Sequence, residues 1–171
     1  MIKGDKGEDI APDKDSEDGT EVNPYYETIT FEPVGDVTNA KEQTLSVVRY
    51  HQVVSRKSND EVFHDQIGYW IYDPKTESVI ETVTIPRAVT LIAGGSATIT
   101  GDSVKIDVVS EEGSKFGIAQ SPFMSEKAKT TKFTHTLTID GDSMEYREVT
   151  FVDIYGRKSF EHSDENILKR Q

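Results

Sequence analysis

Four histidines are the side chains of this chain best suited to chemistry near neutral pH: His51, His64, His135 and His162. Two of them stand in informative places. His64 lies in Phe63-His64-Asp65-Gln66-Ile67-Gly68-Tyr69-Trp70-Ile71-Tyr72, a run of aromatic and β-branched residues that reads as a strand. Side chains alternate along a strand, so Val62, His64, Gln66, Gly68, Trp70 and Tyr72 share one face. A His, a Gly and the sole Trp on one face suggest the wall of a cavity. His162 sits near the C-terminal end of the chain, past the expected last strand, on an element that could cap a barrel mouth. Two imidazoles facing one cavity could ligate a metal or a haem iron. Asp164 could share a hydrogen bond with His162, although a helix cap is its simpler reading. His135 falls on an apolar face and reads first as a satisfied core histidine. His51 receives no role.

Other chemistries find less support. There are no cysteines, which excludes disulfides, thiolate metal sites and a Cys nucleophile. No His-x-His or His-Glu-x-x-His pattern points to zinc, and His64 and Asp65 face opposite ways. No Gly-x-Ser-x-Gly marks a hydrolase, and Gly94-Gly95-Ser96 is no phosphate loop. Asp13 to Gly19 resembles a calcium loop only superficially, because the glycine falls one position late and Pro24 stands where the terminal Glu belongs. The 31 acidic residues are too scattered to single out a catalytic pair.

The elements that must position these groups are strands. Expected strands cover Tyr25–Phe31, Gln43–Lys57 (Leu45, Val47, Arg49, His51 and Val53 on one face), the His64 strand, Val79–Ile85, Ala88–Ile92, Ala97–Thr100, Ser103–Val109, Lys132–Ile139 and Glu145–Tyr155. Loops are expected at Pro33–Lys41, Ser58–Asp60, Gly94–Gly95 and Asp140–Asp142. One short helix should begin after Pro122, and the tail from Phe160 to Leu168 should form a short helix or turn. The fold class is all-β: a closed antiparallel up-and-down barrel of about ten strands, with a short helix and an internal ligand cavity. It occupies 171 residues as one domain, with 1–24 as a mobile acidic lead and 25–171 as the barrel. A net charge of −12 argues against nucleic acid and anionic membranes as partners. No apolar signal or spanning segment is evident, so a cytoplasmic monomer or homodimer is expected.

Phe63 to Trp70, followed by Val83-Thr84-Ile85-Pro86-Arg87-Ala88-Val89-Thr90-Leu91-Ile92-Ala93-Gly94-Gly95, resembles the nitrobindin-like haem-binding β-barrels, a fatty-acid-binding-protein-like group of lipocalin-type barrels. Tyr25 to Pro33 resembles the family's second strand, and Tyr146 to Tyr155 with His162 and Leu168 resembles its C-terminal end. The chain departs from the family at Ile2, where a tryptophan would stand. The resemblance implies haem b with His162 as the axial iron ligand. It implies His64 as a second pocket histidine; beside it Gln66 and Trp70 would line the pocket, with Val83, Ile85, Val89 and Leu91 as walls where their strand parity points inward. It also implies nitric oxide binding and isomerisation of peroxynitrite to nitrate. The alternative is a haem-free carrier of an apolar or fatty-acyl molecule, anchored through Arg49 or Arg87.

Overall fold

The computed structural model describes residues 1–171. Eleven strands form in chain order: β1 (Ile2–Pro12), β2 (Thr20–Asn39), β3 (Gln43–Arg56), β4 (Val62–Asp73), β5 (Ser78–Ile85), β6 (Val89–Thr100), β7 (Ser103–Glu111), β8 (Ile118–Gln120), β9 (Ala128–Asp140), β10 (Ser143–Ile154) and β11 (Arg157–Arg170). The single helix α1 (Pro122–Lys127) lies between β8 and β9. Neighbouring strands are antiparallel and mostly consecutive. β5 pairs with β6 and β1 pairs with β11, so ten strands close into a barrel and no long edge is left open. The three-residue β8 lies beside Val89–Leu91 of β6. No helix is long and apolar enough to cross a membrane.

The expected class holds, but several element boundaries move. Ile2–Pro12 is a barrel strand between β2 and β11, so the barrel begins well before residue 25. Pro33–Lys41 is not a loop through its length. A bulge between Pro33 and Gly35, with Gly35 at φ +91°, carries β2 on to Asn39 as an exposed ribbon paired with β3. Gly94 and Gly95 lie inside β6 and make no turn. They are needed for close approach: a Cβ at Gly94 would strike the Phe116 ring at 2.2 Å, and one at Gly95 would meet the Asp107 carbonyl at 1.8 Å. The tail is neither helix nor turn. Tyr155 and Gly156, both at positive φ, reverse the chain, and Arg157–Arg170 returns as the strand that completes the barrel. The Asp140-Gly141-Asp142 hairpin and the helix after Pro122 form as expected, the helix capped by Ser121 Oγ accepting from the Met124 N–H.

The interior is graded from one end to the other. Ile29, Tyr50, Leu137, Met144, Tyr146 and Leu168 form an apolar cluster towards one end, with Ile2, Phe31, Trp70 and Ile106 against it. A second cluster, Val79, Val83, Leu91, Ala93, Val108 and Phe133, lines the β5–β9 side. Val83, Val89 and Leu91 therefore do point inward, as the parity argument requires. Between and beyond these clusters the inward positions are polar.

Candidate functional site

The site is built where β1, β10 and β11 run side by side. In β11 the inward residues alternate as Phe160, His162, Asp164, Asn166 and Leu168, and only Leu168 belongs to the apolar cluster. Asp9 of β1 lies directly across from Asp164, which lies directly across from Glu148 of β10, which lies directly across from His135 of β9. Three carboxylates thus occupy consecutive cross-strand positions, an arrangement that costs free energy unless positive charge compensates it.

His162 supplies part of that charge. Its Nε2–H donates to Asp9 Oδ1 at 2.6 Å, and Asp164 Oδ2 lies 3.7 Å from the same nitrogen. Asn23 also donates to Asp9, at 2.9 Å. Burial opposes charging of Asp9, but the bonds from His162 and Asn23 outweigh it and hold its pKa below the usual carboxylate range. Burial likewise opposes the imidazolium of His162, yet Asp9 and Asp164 raise its pKa. For Asp164 the compensation from His162 is too weak. Burial, with the charges of Asp9 and Glu148, pushes its pKa well up despite His162. The other ring nitrogen of His162, Nδ1, makes no hydrogen bond to the protein, and the side chain is 31% exposed.

His64 enters the same end from β4. Its charge is disfavoured by burial, and the nearby His162 and Arg87 charges depress it further. Neutral His64 donates through Nε2 to Gln66 Oε1 at 3.1 Å. Gln66 then donates to Tyr50 Oη (3.0 Å), and Tyr50 donates to Glu81 (2.9 Å). Glu81 also accepts from His135 Nδ1 at 2.9 Å. One hydrogen-bonded chain therefore runs from the mouth to the centre of the barrel. Beside it, Glu27 accepts from Tyr146, Gln52 and Asn166 at 2.9, 2.6 and 2.7 Å, and burial still raises its pKa. The centre is also where protons are shared most closely. His135 is raised to about 9, because Glu81 and the neighbouring Glu148 and Glu27 overcome its burial. Glu148 is raised to about 7, chiefly by burial and by Glu81, against the opposing pull of His135.

This packing leaves little space. The gap framed by Ile29, Phe31, Tyr50, Trp70, Glu81, His135 and Tyr146 amounts to about 10 Å³, room for one water beside the unpartnered His135 Nε2. The interior therefore has no room for a large ligand. His64 and His162 lie near one another at the same end of the barrel, and Ile85 sits at that end of its strand. Gln66 serves as the support of His64. Trp70 lies deeper, with its ring 5.4 Å from His135 and 6.4 Å from Tyr50. Gly68 opens no pocket: a Cβ there would meet the Thr82 carbonyl at 1.7 Å and the Tyr50 ring at 3.0 Å. Val62 and Tyr72 are exposed at the ends of the strand. Arg49 and His51 point outward, to Glu32 and Asp65, while Tyr50, Gln52 and Val54 fill the barrel. Arg49 therefore cannot anchor a ligand inside, whereas Arg87 stands by the mouth and donates to the Phe63 carbonyl at 3.3 Å.

Asp9, Glu27, Glu81 and Glu148 are the residues that sequence reasoning missed. The available signal was parity. Glu27 alternates with Tyr25 and Ile29, Glu81 with Val79 and Val83, and Glu148 with Tyr146, so each acid shares a face with core residues.

A family model described as "THAP4-like, heme-binding beta-barrel domain" matches residues 7–170. The crystal structure of Rv2717c from M. tuberculosis is similar over 99% of this chain and 90% of that one, at 19% identity and a TM-score of 0.72. At that identity the likeness speaks to the fold. None of the curated proteins matches.

Proposed function

The chain belongs to the THAP4-like haem-binding β-barrel domain family, and from that premise we propose that it binds haem at the mouth, with His162 as the axial ligand. The donor set fits an iron ligand. A ligating imidazole works best when its second nitrogen donates to a carboxylate, which fixes the ring and raises its basicity. His162 and the buried Asp9 form such a pair, and this is the observation that carries the reading. With Nε2 bonded to Asp9, Nδ1 is the ring nitrogen left for iron. His64, held neutral and oriented by Gln66, stands in the same mouth as a second polar contact for the haem or for a molecule bound to it.

Bound there, haem would supply an iron centre for nitric oxide binding and for isomerising peroxynitrite to nitrate. This chain's own residues orient the ligating imidazole, set its charge and close the barrel beneath it. The filled and acidic interior disfavours the alternative of an acyl chain threaded down the barrel. Haemin titration followed by visible absorbance tests the proposal. A saturable Soret band that is lost or shifted in His162→Ala is expected. The absence of a saturable band with folded wild-type protein would overturn it.

A further inference from the structure

Two arginines at the mouth lack acidic partners in a chain that carries 31 acidic residues and a net charge of −12. Arg49, Arg147 and Arg170 each pair with a carboxylate, and Arg157 donates to the Asp18 and Gly19 carbonyls. Arg56 and Arg87 form no ion pair, and both meet at Phe63. The β3–β4 ladder passes from Val54–His64 to Ser55–Val62, so Phe63 is the extra residue of a bulge, a feature that re-aims a side chain. Its ring packs edge-on against the fully buried Tyr25, with centroids 6.3 Å apart. The Arg56 guanidinium lies over that ring, 4.4 Å from its centroid, and Arg87 Nη2 donates to the Phe63 carbonyl at 3.3 Å. Arg56 Nε donates to Asn23, the residue that donates to Asp9 beside His162. Each guanidinium keeps donors without an acceptor in the protein: Nη1 and Nη2 of Arg56, Nε and Nη1 of Arg87.

We propose that Arg56 and Arg87 form a carboxylate-binding rim beside His64, and that this rim takes the propionates of haem. A guanidinium is always charged and offers paired N–H groups that match the two oxygens of a carboxylate. In so acidic a protein, cations left without acids at a binding mouth draw an anion to that side. Phe63 between them offers apolar surface to a flat macrocycle. Two guanidiniums match the two propionates, whereas a fatty-acyl ligand brings one carboxylate. The proposal rests on the haem reading and deepens it, by assigning the carboxylates to the side of the mouth built by β3, β4 and the β5–β6 turn.

The full chain would be titrated with haemin and with haemin dimethyl ester, whose propionates carry no charge, and followed by the Soret band. The double variant Arg56→Gln with Arg87→Gln should weaken haemin binding ~10-fold or more, through lost charge-assisted hydrogen bonds. Arg87→Gln alone, at an exposed position, should show part of that loss. Wild type should bind the ester more weakly than haemin, and the double variant should bind the two alike. Arg49→Gln, on the outer wall, should titrate as wild type does. Equal haemin affinity for wild type and the folded double variant would overturn the proposal while leaving haem binding through His162 in place. An ester penalty of the same size in both proteins would overturn it too. No saturable band with wild type would remove the haem reading and this rim's ligand together.

Discussion

The two ends of the barrel solve the problem of filling an interior in opposite ways. At one end Ile29, Leu137, Met144 and Leu168 meet, with Ile2 and Phe31 against them, and the space closes by apolar burial. At the other, Asp9, His64, His162 and Asp164 face inward, and what holds them is hydrogen bonding and charge balance. Burial of apolar surface stabilises whatever the conditions, whereas a paired charge stabilises only in the right protonation state. The apolar end therefore carries stability and the polar end carries chemistry. Substitutions at the two ends should separate these roles.

The largest effect on stability is expected at the closed end. Leu168 is fully buried, and Leu168→Ala should cost about 2–5 kcal/mol in chemical unfolding while leaving ligand binding by the folded fraction unchanged. A comparable loss of ligand affinity with little loss of stability would show that the ends are not separable.

A smaller effect is expected from pH. His135 is raised from 6.5 to about 9, so its contribution is fully present below about 6.5 and is lost as pH rises through about 9. Glu148 is raised from 4.5 to about 7, and this too favours the fold at low pH and fades as pH rises through about 7. Both signs agree: thermal stability should fall between about pH 5 and pH 9, most simply read as a lower Tm at the alkaline end. Glu148→Gln should flatten the acidic half of that decline. A Tm that climbs over the same range would contradict the assignment of shared protons at the barrel centre.

The smallest effect should come from the mouth. Asp164→Asn mimics the neutral carboxyl that burial favours at this position, so it should change stability by no more than about 1 kcal/mol. A large destabilisation would show that Asp164 is needed for structure, and the division between the ends would blur.

The strand rhythm made the closed barrel legible, because tight turns such as Asp140-Gly141-Asp142 and alternating runs such as Phe133-Thr134-His135-Thr136-Leu137 are local signals. The His64 face was legible for the same reason. The last strand was not. Between Phe160 and Leu168 its inward residues are His162, Asp164 and Asn166, so apolar alternation, the usual marker of a strand, is missing along its middle. Gly94-Gly95 misled in the opposite direction, since glycines needed for the Phe116 ring and the Asp107 carbonyl look, in sequence, like those of a turn. The interior acids were hidden by abundance: Glu27, Glu81 and Glu148 differ from the surface acids only in parity. Asp9 needed something more, because its partner His162 is 153 residues away and the pair exists only once β1 and β11 close the barrel.

The most direct test of the account is haemin titration of the full chain, comparing wild type with His162→Ala and with Asp9→Asn. A saturable Soret band is expected for wild type, with its loss in His162→Ala and a band of altered position or affinity in Asp9→Asn, whose side chain cannot supply the carboxylate that orients the ring. Identical Soret titrations for wild type and His162→Ala would contradict it, since haem would then be held elsewhere or without a specific ligand.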